Sequence, residues 1–457
     1  MSHTLNWCPI VLMALAMLLC PACSGGRVVE GGLFLDAQVQ VNQGPAFGKG
    51  RDPNVCCAGG VFYVVWEDDR NGNDDIYFNR SADGGLTWLP SDVRVNANGA
   101  GVSDSDNPRI CCSGQTVYVV WDDKRRGDQD IYVNYSPDGG STWQPSDIRL
   151  DREFGDFHSN KQRICCDGAN VYVTWTERQP EGSHVFINAS FDGGATWFAE
   201  EVRVDEGLGG NAEEAQVCCS GSTVYVAWRT EASDTSIIYA TVSTDGGQSF
   251  PECEVPLSSP GTRVDPPQMC CDGPNVYVVW DSDREEDIFL NSSLDGGLTW
   301  QPEERRLNTD PIGTDSSENV QICCDGLNVY VAWQDARTRD SGIYLNRSAD
   351  GGLSWEANDI RIDHHPEESR NCGICCEGDS VYVGWTDSRN GVEEDVFFNY
   401  SLDGGLTWQA TDYRVDTDAA DQNDPNRPRL CCDAGTVYVL WYLDEPTSHI
   451  YLNRATP

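Results

Sequence analysis

The amino-acid sequence predicts an all-β protein, an eight-bladed β-propeller of four-stranded antiparallel blades whose ring is closed by the N-terminal strand. A Cys-Cys doublet recurs eight times, about every 52 to 56 residues. Each repeat contains four short runs rich in Val, Ile, Tyr and Trp, separated by Gly, Asp and Ser turns, and no segment has helical periodicity. A period of this size is typical of radial or stacked repeats, so the sequence favours one closed array.

The second repeat defines the predicted strands. They cover residues 109–112, 117–121, 131–135 and 142–150. Gly and Asp residues lie between these runs, as expected for tight turns between antiparallel strands. The sequence therefore predicts one small antiparallel sheet for each repeat.

The two ends of the chain predict how the ring closes. The last repeat has strand-like runs at residues 429–432, 437–441 and 450–453, but it lacks a fourth run. Residues 37–42, near the N-terminus, resemble the fourth run of the other repeats. We expect this N-terminal strand to complete the last blade, because radial closure leaves only short, protected sheet edges.

The N-terminal segment resembles an export signal. Residues 1–23 contain an apolar run, residues 9–19, followed by Cys20-Pro-Ala-Cys23 with small residues suited to cleavage, although no Lys or Arg precedes the run. Cys20 or Cys23 is a candidate for lipid attachment, which would be the only link to a membrane. We assign residues 27–457 to a single propeller and predict an exported protein: periplasmic, at the cell surface or secreted.

The formal net charge of −42 excludes some partners. Binding to nucleic acid or to an anionic bilayer requires clustered Lys and Arg, so neither is expected. Acidity of this size is consistent with a soluble exported protein.

Sixteen of the 21 cysteines form the doublets, which indicates an oxidising compartment. The predicted disulfide cysteines are Cys56, Cys57, Cys111, Cys112, Cys165, Cys166, Cys218, Cys219, Cys270, Cys271, Cys323, Cys324, Cys375, Cys376, Cys431 and Cys432. Two arrangements are open: a bond between the adjacent cysteines of one doublet, or bonds between blades such as Cys57 to Cys111. The width of an eightfold channel slightly favours the first arrangement. A zinc site is disfavoured because neighbouring strand residues point to opposite faces.

An eight-residue motif, Ser-x-Asp-x-Gly-x-Thr/Ser-Trp, follows the third predicted strand in six repeats, and a weaker copy begins at Ser243. This motif is the Asp-box, and the chain resembles the sialidase-type, bacterial neuraminidase repeat propellers over almost all of its mature length. The resemblance implies turns on the rim with structural roles, in which the Asp carboxylate accepts turn N–H bonds. The structural Asp-box residues are Asp83, Asp138, Asp192, Asp245, Asp295, Asp350 and Asp403.

Arginines recur after the second predicted strand, each following a Trp and an acidic residue. They are Arg70, Arg125, Arg284, Arg337 and Arg389. Because arginine binds carboxylates with two parallel bonds, these residues are the ligand-binding candidates. A feature that recurs in most blades also suits a simpler role, an Asp-Arg pair that orders its own loop.

Catalytic candidates must break the repeat. Tyr442 replaces the polar residue that usually follows this Trp and lies near Glu445, which would suit a Tyr/Glu nucleophile pair. Asp156 lies in an unusual loop. However, Arg51-Asp-Pro53 stands where the family has Arg-Ile-Pro, and sialidases have six blades.

No cofactor or metal ligand set is predicted. His364, His365 and Cys372 cluster in sequence but suit solvated loop residues better, and Ca²⁺ could bind incidentally to acidic loops such as residues 69–74. The sequence thus favours a non-catalytic binding or envelope scaffold protein with a glycan or protein ligand on its loop-rich face. The alternative is an exo-sialidase or related glycoside hydrolase.

Overall fold

The computed structural model describes residues 27–28, 34–43, 48–151, 157–207, 209–232, 235–251, 254–261, 263–282, 286–312, 315–338, 340–391, 394–416, 425, 428–443 and 448–456. The predicted export signal lies outside these residues. Within them the protein is all-β, and no helix has the length and apolarity needed to cross a membrane.

The first four blades each contain four antiparallel strands in chain order from the centre outwards. Their strands are β4 (Gly50–Ala58), β5 (Val61–Asp68), β6 (Asp75–Ser81) and β7 (Val93–Arg94); β8 (Ser105–Ser113), β9 (Thr116–Asp123), β10 (Asp130–Ser136) and β11 (Ile148–Arg149); β12 (His158–Asp167), β13 (Asn170–Gln179), β14 (Gly182–Ser190) and β15 (Val202–Arg203); and β16 (Asn211–Ser220), β17 (Thr223–Ala232), β18 (Thr235–Ser243) and β19 (Val255–Pro256).

The next three blades repeat this order, and the eighth includes strands from both ends of the chain. Their strands are β20 (Gln268–Asp272), β21 (Asn275–Ser282), β22 (Asp287–Ser293) and β23 (Arg305–Arg306); β24 (Ser317–Asp325), β25 (Asn328–Asp335), β26 (Gly342–Ser348) and β27 (Ile360–Arg361); β28 (Ser369–Glu377), β29 (Ser380–Asp387), β30 (Asp395–Ser401) and β31 (Tyr413–Arg414); and β32 (Arg429–Asp433), β33 (Thr436–Leu443), β34 (His449–Thr456) with β1 (Arg27–Val28), β2 (Phe34–Leu35) and β3 (Val39–Gln40).

The eighth blade closes the ring as predicted. Val39 and Gln40 of β3 pair with Leu452 and Tyr451 of β34, in the position that β7 takes beside β6 in blade 1. Each first strand contacts the first strands of both neighbouring blades, which places these strands around the central channel. The predicted eight-bladed propeller is confirmed.

The core lies between the blades. The described residues form eight apolar clusters, one at each interface between neighbouring blades. The second and third strands of a blade are buried on both faces by the neighbouring blades. Their sequences are therefore largely continuous apolar runs and do not alternate between apolar and polar residues. Trp121 of β9, for example, is fully buried.

The fourth strand is shorter than expected. In blade 2 only Ile148 and Arg149 pair with β10, although residues 142–150 were predicted as a strand. The side chain of Asn134 accepts a bond from the Gln144 backbone N–H and donates one to the Gln144 carbonyl. This side chain therefore takes the place of the outer ladder over the first half of the predicted strand.

The two disulfides among the described residues join neighbouring blades and not the cysteines of one doublet. Cys218 bonds Cys271, and Cys57 bonds Cys431, with Cα–Cα distances of 6.1 and 6.4 Å. The expectation that an eightfold channel holds these strands too far apart is wrong for these cysteines, because both distances lie within the range of about 4.4 to 6.8 Å that a disulfide spans. The example Cys57 to Cys111 is also wrong, because the second cysteine of a doublet faces the preceding blade.

Candidate functional site

Four of the five arginines suggested as ligand-binding residues lie in the described part of the chain, and Arg284 lies outside it. We call these four the loop arginines: Arg70, Arg125, Arg337 and Arg389. Arg389 shows their common arrangement. Its Nε and Nη2 donate to Asp387 at 2.9 and 2.7 Å, its Nη1 donates to Asp412 at 2.8 Å, and its guanidinium lies 4.0 Å from the centre of the Phe397 ring.

The other three loop arginines also bind two aspartates of their own blade and cover an aromatic ring. Their side chains are only 9 to 18% exposed. Burial alone would lower the pKa of each guanidinium, but the aspartates raise it above its usual value. This geometry favours the simpler role, an ion pair that orders its own blade, while ligand binding by these residues stays a prediction.

The Asp-box turns have the hydrogen bonds expected of a structural motif. In the last copy, Asp403 accepts bonds from the Ser401 hydroxyl and from both the backbone N–H and the hydroxyl of Thr407. These bonds lower the pKa of Asp403 to about 2. Gly405, with φ of 80°, donates its N–H to Ser401, a conformation that favours glycine. The equivalent bonds form around the other six Asp-box aspartates.

Among the catalytic candidates, only Tyr442 lies in the described residues. It is half-buried and packs against the apolar cluster between blades 8 and 1. Glu445 and Asp156 lie outside the described residues. The proposed Tyr/Glu pair therefore stays a prediction.

The histidine and cysteine cluster suggested by the sequence is dispersed by other contacts. The Nδ1 atom of His364 lies 2.8 Å from Asp412, and the Cys372 thiol donates to the Asn319 carbonyl. Among the described residues, the three side chains with ligand atoms close enough to share a metal ion are those of Glu67, Asp74 and Asp106. Arg51 binds Glu67 and Asp74 at 3.2 and 2.9 Å. A guanidinium thus already supplies positive charge to that cluster, and incidental Ca²⁺ binding stays a prediction.

A second set of arginines lies on the first strands, which surround the channel. We call Arg109, Arg163 and Arg429 the channel arginines, since each precedes the first cysteine of its doublet by two residues. The other five blades have Asn54, Gln216, Gln268, Gln321 and Gly373 at this position. Sequence reasoning missed these arginines. One signal in the sequence could have revealed them: the position two residues before each doublet varies, whereas the neighbouring positions of the same strand repeat.

A β-bulge precedes this position in six blades, including those of Arg109 and Arg163. The residue at the bulge has a positive φ, 55° for Asn107 and 58° for Lys161. In blade 5, Pro266 occupies the equivalent position and cannot adopt a positive φ, so β20 begins only at Gln268. Bulges re-aim side chains and are common beside functional sites.

Arg109 and Arg163 differ from the loop arginines because neither forms an ion pair with a described residue. Their Nη1 atoms donate to the carbonyls of Pro108 and Gln162, at 2.8 and 3.0 Å. Burial and the charge of Arg163 lower the pKa of Arg109 to about 10. Burial and the charge of Arg429, from a blade across the channel, lower that of Arg163. Two half-buried guanidinium groups therefore lie close together without an ion pair, although the charges of carboxylates such as Asp122 and Glu214 act in the opposite direction on their pKa values.

A cavity of about 190 Å³ opens beside these two arginines, at the interface of blades 2 and 3. Its lining is polar and comprises Asn107, Arg109, Gln129, Asn160, Lys161, Gln162, Arg163 and Glu214. Lys161 is held by Glu213 and Glu214 at 3.1 and 3.0 Å. Lys161 therefore has carboxylate partners, whereas the guanidinium groups of Arg109 and Arg163 have none among the described residues.

Carboxyl groups with raised pKa values lie beside the same bulges. Burial, together with nearby carboxylates, raises the pKa of Glu67 to about 7 and that of Asp122 to about 6. Glu67 accepts the backbone N–H of Asn107 at 2.9 Å, and Asp122 accepts the Asn107 side-chain amide at 3.0 Å. Groups that titrate near neutral pH are common at functional sites.

Comparison with known proteins shows that the fold of this chain is similar to that of several solved structures. No family model and no curated protein matches the chain. Among solved structures, the polysaccharide lyase Uly1 is 10% identical with a TM-score of 0.48, covering 94% of this chain and 93% of the lyase. A Trypanosoma rangeli sialidase mutant that displays trans-sialidase activity is 10% identical with a TM-score of 0.41, covering 91% and 58%. A GH93 α-L-arabinofuranosidase of Fusarium graminearum is 14% identical with a TM-score of 0.40, covering 64% and 92%.

At these identities the similarity concerns the fold alone, so the activities of those proteins are not carried over to this chain.

Proposed function

We propose that the protein is an exported, non-catalytic propeller that binds a carboxylate-bearing glycan at the channel arginines. This proposal depends on one observation. The chain has a net charge of −42, yet Arg109 and Arg163 have no carboxylate partner among the described residues. Both residues are half-buried, and a charge that is partly removed from water without a partner is costly. A ligand anion would remove that cost.

The chemistry of the site favours a carboxylate. Each guanidinium has five N–H donors in a planar fork, and a carboxylate can accept two of them at once. The cavity is smaller than the roughly 300 to 1,000 Å³ of sites that enclose drug-sized ligands. A volume of about 190 Å³ suits one charged sugar unit better than a whole oligosaccharide.

The overall charge favours a ligand with isolated negative charges. A dense polyanion would be repelled at long range by the acidic surface, whereas a single carboxylated sugar meets only the local positive field. The Asp-box resemblance supports a sugar as the carrier of that carboxylate. The two disulfides support an extracytoplasmic location, where glycans are accessible.

The test is binding of N-acetylneuraminic acid and glucuronic acid, with glucose as the neutral control, measured by calorimetry or by saturation-transfer NMR. The wild-type protein should bind the acidic sugars, and added NaCl should weaken this binding. An Arg109→Gln/Arg163→Gln variant should bind them at least about tenfold more weakly, since a hydrogen bond to a charged group contributes roughly 1.5 to 3 kcal/mol.

The matched control is Arg305→Gln, which removes one exposed arginine from the outer strand of blade 5. This variant should bind like the wild type. Equal affinity for glucose, or unchanged binding in the double variant with its fold verified by circular dichroism, would contradict the proposal.

The raised pKa values of Glu67 and Asp122 favour a second candidate, hydrolysis of a sialoside or related glycoside at the same site. Such groups suit proton transfer near neutral pH. The test is turnover of a fluorogenic sialoside by the purified protein, with Glu67→Gln as the variant for this site and Tyr442→Phe as the variant for the Tyr/Glu pair predicted from the sequence. Turnover that is lost in the variants would replace the binding-only proposal. No turnover by folded protein would reject exo-sialidase action.

A further inference from the structure

The cysteine doublets follow one pairing rule in the bonds that the structure contains. Cys218, the first cysteine of blade 4, bonds Cys271, the second cysteine of blade 5. Cys431, the first cysteine of blade 8, bonds Cys57, the second of blade 1. In both bonds the first cysteine faces the following blade, and the two bonds lie in different parts of the ring.

The backbone repeats the geometry of these bonds in every blade. The first cysteine always lies opposite a Tyr of the second strand, and the second cysteine lies opposite the Val or Phe that precedes this Tyr. Because strand residues alternate between faces, this constant register fixes the direction in which each thiol points. The rule seen in two places should therefore apply to all eight.

The other twelve doublet cysteines are thiols in the structure. They lie in six pairs, each formed by the first cysteine of one blade and the second cysteine of the following blade. Five pairs share an apolar cluster between two blades: Cys56 with Cys112, Cys165 with Cys219, Cys270 with Cys324, Cys323 with Cys376, and Cys375 with Cys432. The sixth pair is Cys111 and Cys166. Burial and a hydrogen bond from the Cys166 thiol raise the pKa of Cys111.

We propose that these six pairs also become oxidised, so that eight inter-blade disulfides form one covalent ring around the channel. Each blade would then be bonded to both of its neighbours. The interaction that closes the ring of blades, between blade 8 and blade 1, is itself one of the two bonds present in the structure.

The oxidant that each closure requires is the disulfide of a thiol-disulfide oxidoreductase in the receiving compartment. One cysteine thiolate attacks that disulfide and forms a mixed disulfide, and one donor sulfur leaves as a thiolate. The partner cysteine thiolate then displaces the donor's other sulfur. Two protein thiols lose two protons and two electrons, and the donor is reduced to a dithiol. Burial in the closed ring raises the pKa of thiols such as Cys56, which slows this attack, so we expect oxidation before the blades pack fully.

The first test is a thiol count on protein recovered after export, denatured in the presence of iodoacetamide without reductant. The proposal predicts that the sixteen doublet cysteines are unmodified, so that alkylation is confined to cysteines outside the doublets, such as Cys253 and Cys372. Reduction should then make all sixteen reactive. Twelve reactive doublet thiols before reduction would overturn the proposal.

The second test identifies the pairing with one substitution, Cys56→Ala. The ring pairing predicts one new alkylated residue, Cys112. Bonds within doublets would instead release Cys57, and inter-blade bonds in the opposite direction would release Cys432; either result would overturn the proposal. The matched control is Cys218→Ala, which should release Cys271. Because alkylation is done on denatured protein, the result does not depend on the native stability of either variant.

Discussion

The loop arginines and the channel arginines have the same side chain but opposite surroundings. Arg389 binds two aspartates, neither of which is exposed, and covers the Phe397 ring. Arg163 lies beside a cavity, and burial together with the charge of Arg429 lowers its pKa. In the described part of the chain no carboxylate forms an ion pair with Arg163, and the charge of Glu214 raises its pKa too little to offset burial and Arg429.

This difference separates structural residues from candidate functional ones. Loop arginines recur at one position in several blades, and each forms ion pairs with aspartates at equivalent positions of its own blade. Channel arginines occur at a position that differs from blade to blade, and for Arg109 and Arg163 the described residues supply no ion-pair partner. In a repeat protein, repetition of a charged group together with its partner therefore indicates a structural role, and a charged group without its partner indicates a place for a ligand.

Arg389→Gln gives the largest expected effect on stability. The change leaves Asp387 and Asp412 buried without their guanidinium, and breaking a buried ion pair costs roughly 3 to 5 kcal/mol. Because the Arg389 side chain is 13% exposed, we expect a loss of about 3 kcal/mol in the free energy of unfolding, measured with urea. Arg305→Gln is the control and should change it little. An equal, small effect for both variants would remove the distinction drawn above.

Glu67 gives an effect of similar size that depends on pH. Burial, with nearby carboxylates such as Asp74, raises its folded-state pKa from 4.5 to about 7. Its contribution to stability is therefore fully present below about pH 4.5 and is lost as the pH rises through 7. At 1.36 kcal/mol for each pKa unit, the wild type should lose roughly 3 kcal/mol relative to Glu67→Gln between pH 4.5 and 8.

The measurement is urea unfolding of both proteins at a series of pH values, with Asp403→Asn as the control from the rim. The pKa of Asp403 is lowered to about 2, so its contribution is lost only as the pH falls through that value. A difference between wild type and Glu67→Gln that is constant from pH 4.5 to 8 would refute the assignment of Glu67 as a group that titrates near neutrality.

Arg163→Gln gives the smallest expected effect, and its sign is opposite to that of Arg389→Gln. Removing a partly desolvated charge near Arg429 should stabilise the protein by about 1 kcal/mol, because glutamine already occupies this position in three other blades. Urea unfolding of Arg163→Gln and Arg389→Gln under the same conditions makes the comparison. A loss of stability in Arg163→Gln would mean that the guanidinium has a structural partner after all.

Most of the fold could be predicted from the sequence because each blade repeats the same order of doublet, apolar runs and turn residues. The eight doublets gave the number of blades, and residues 37–42 gave the closing strand. The length of the fourth strand could not be predicted, since it depends on the Asn134 side chain satisfying backbone groups that would otherwise form a ladder.

The candidate site was less predictable. The pairing direction of the cysteines depends on which face each strand residue takes, and a strand pattern alone does not say which face meets the preceding blade. The channel arginines were hidden for a related reason: Arg109 and Arg429 come from repeats that are far apart in sequence, and only closure of the ring brings the first strands together. The loop arginines were conspicuous in the sequence because they repeat, which is also why they are poor candidates for a ligand site.

The pairing of β3 with β34 also affects when the protein can fold. Val39 and Leu452 are partners across almost the whole chain, so the eighth blade cannot be completed until a ribosome has synthesised both segments. Contacts of such long sequence separation form slowly. A chain threaded through a membrane from its N-terminal side would thus reach the far side before its ring could close. For the export proposed above, closure of the ring therefore has to wait until β34 is available, whereas the other blades contain only neighbouring segments of the chain.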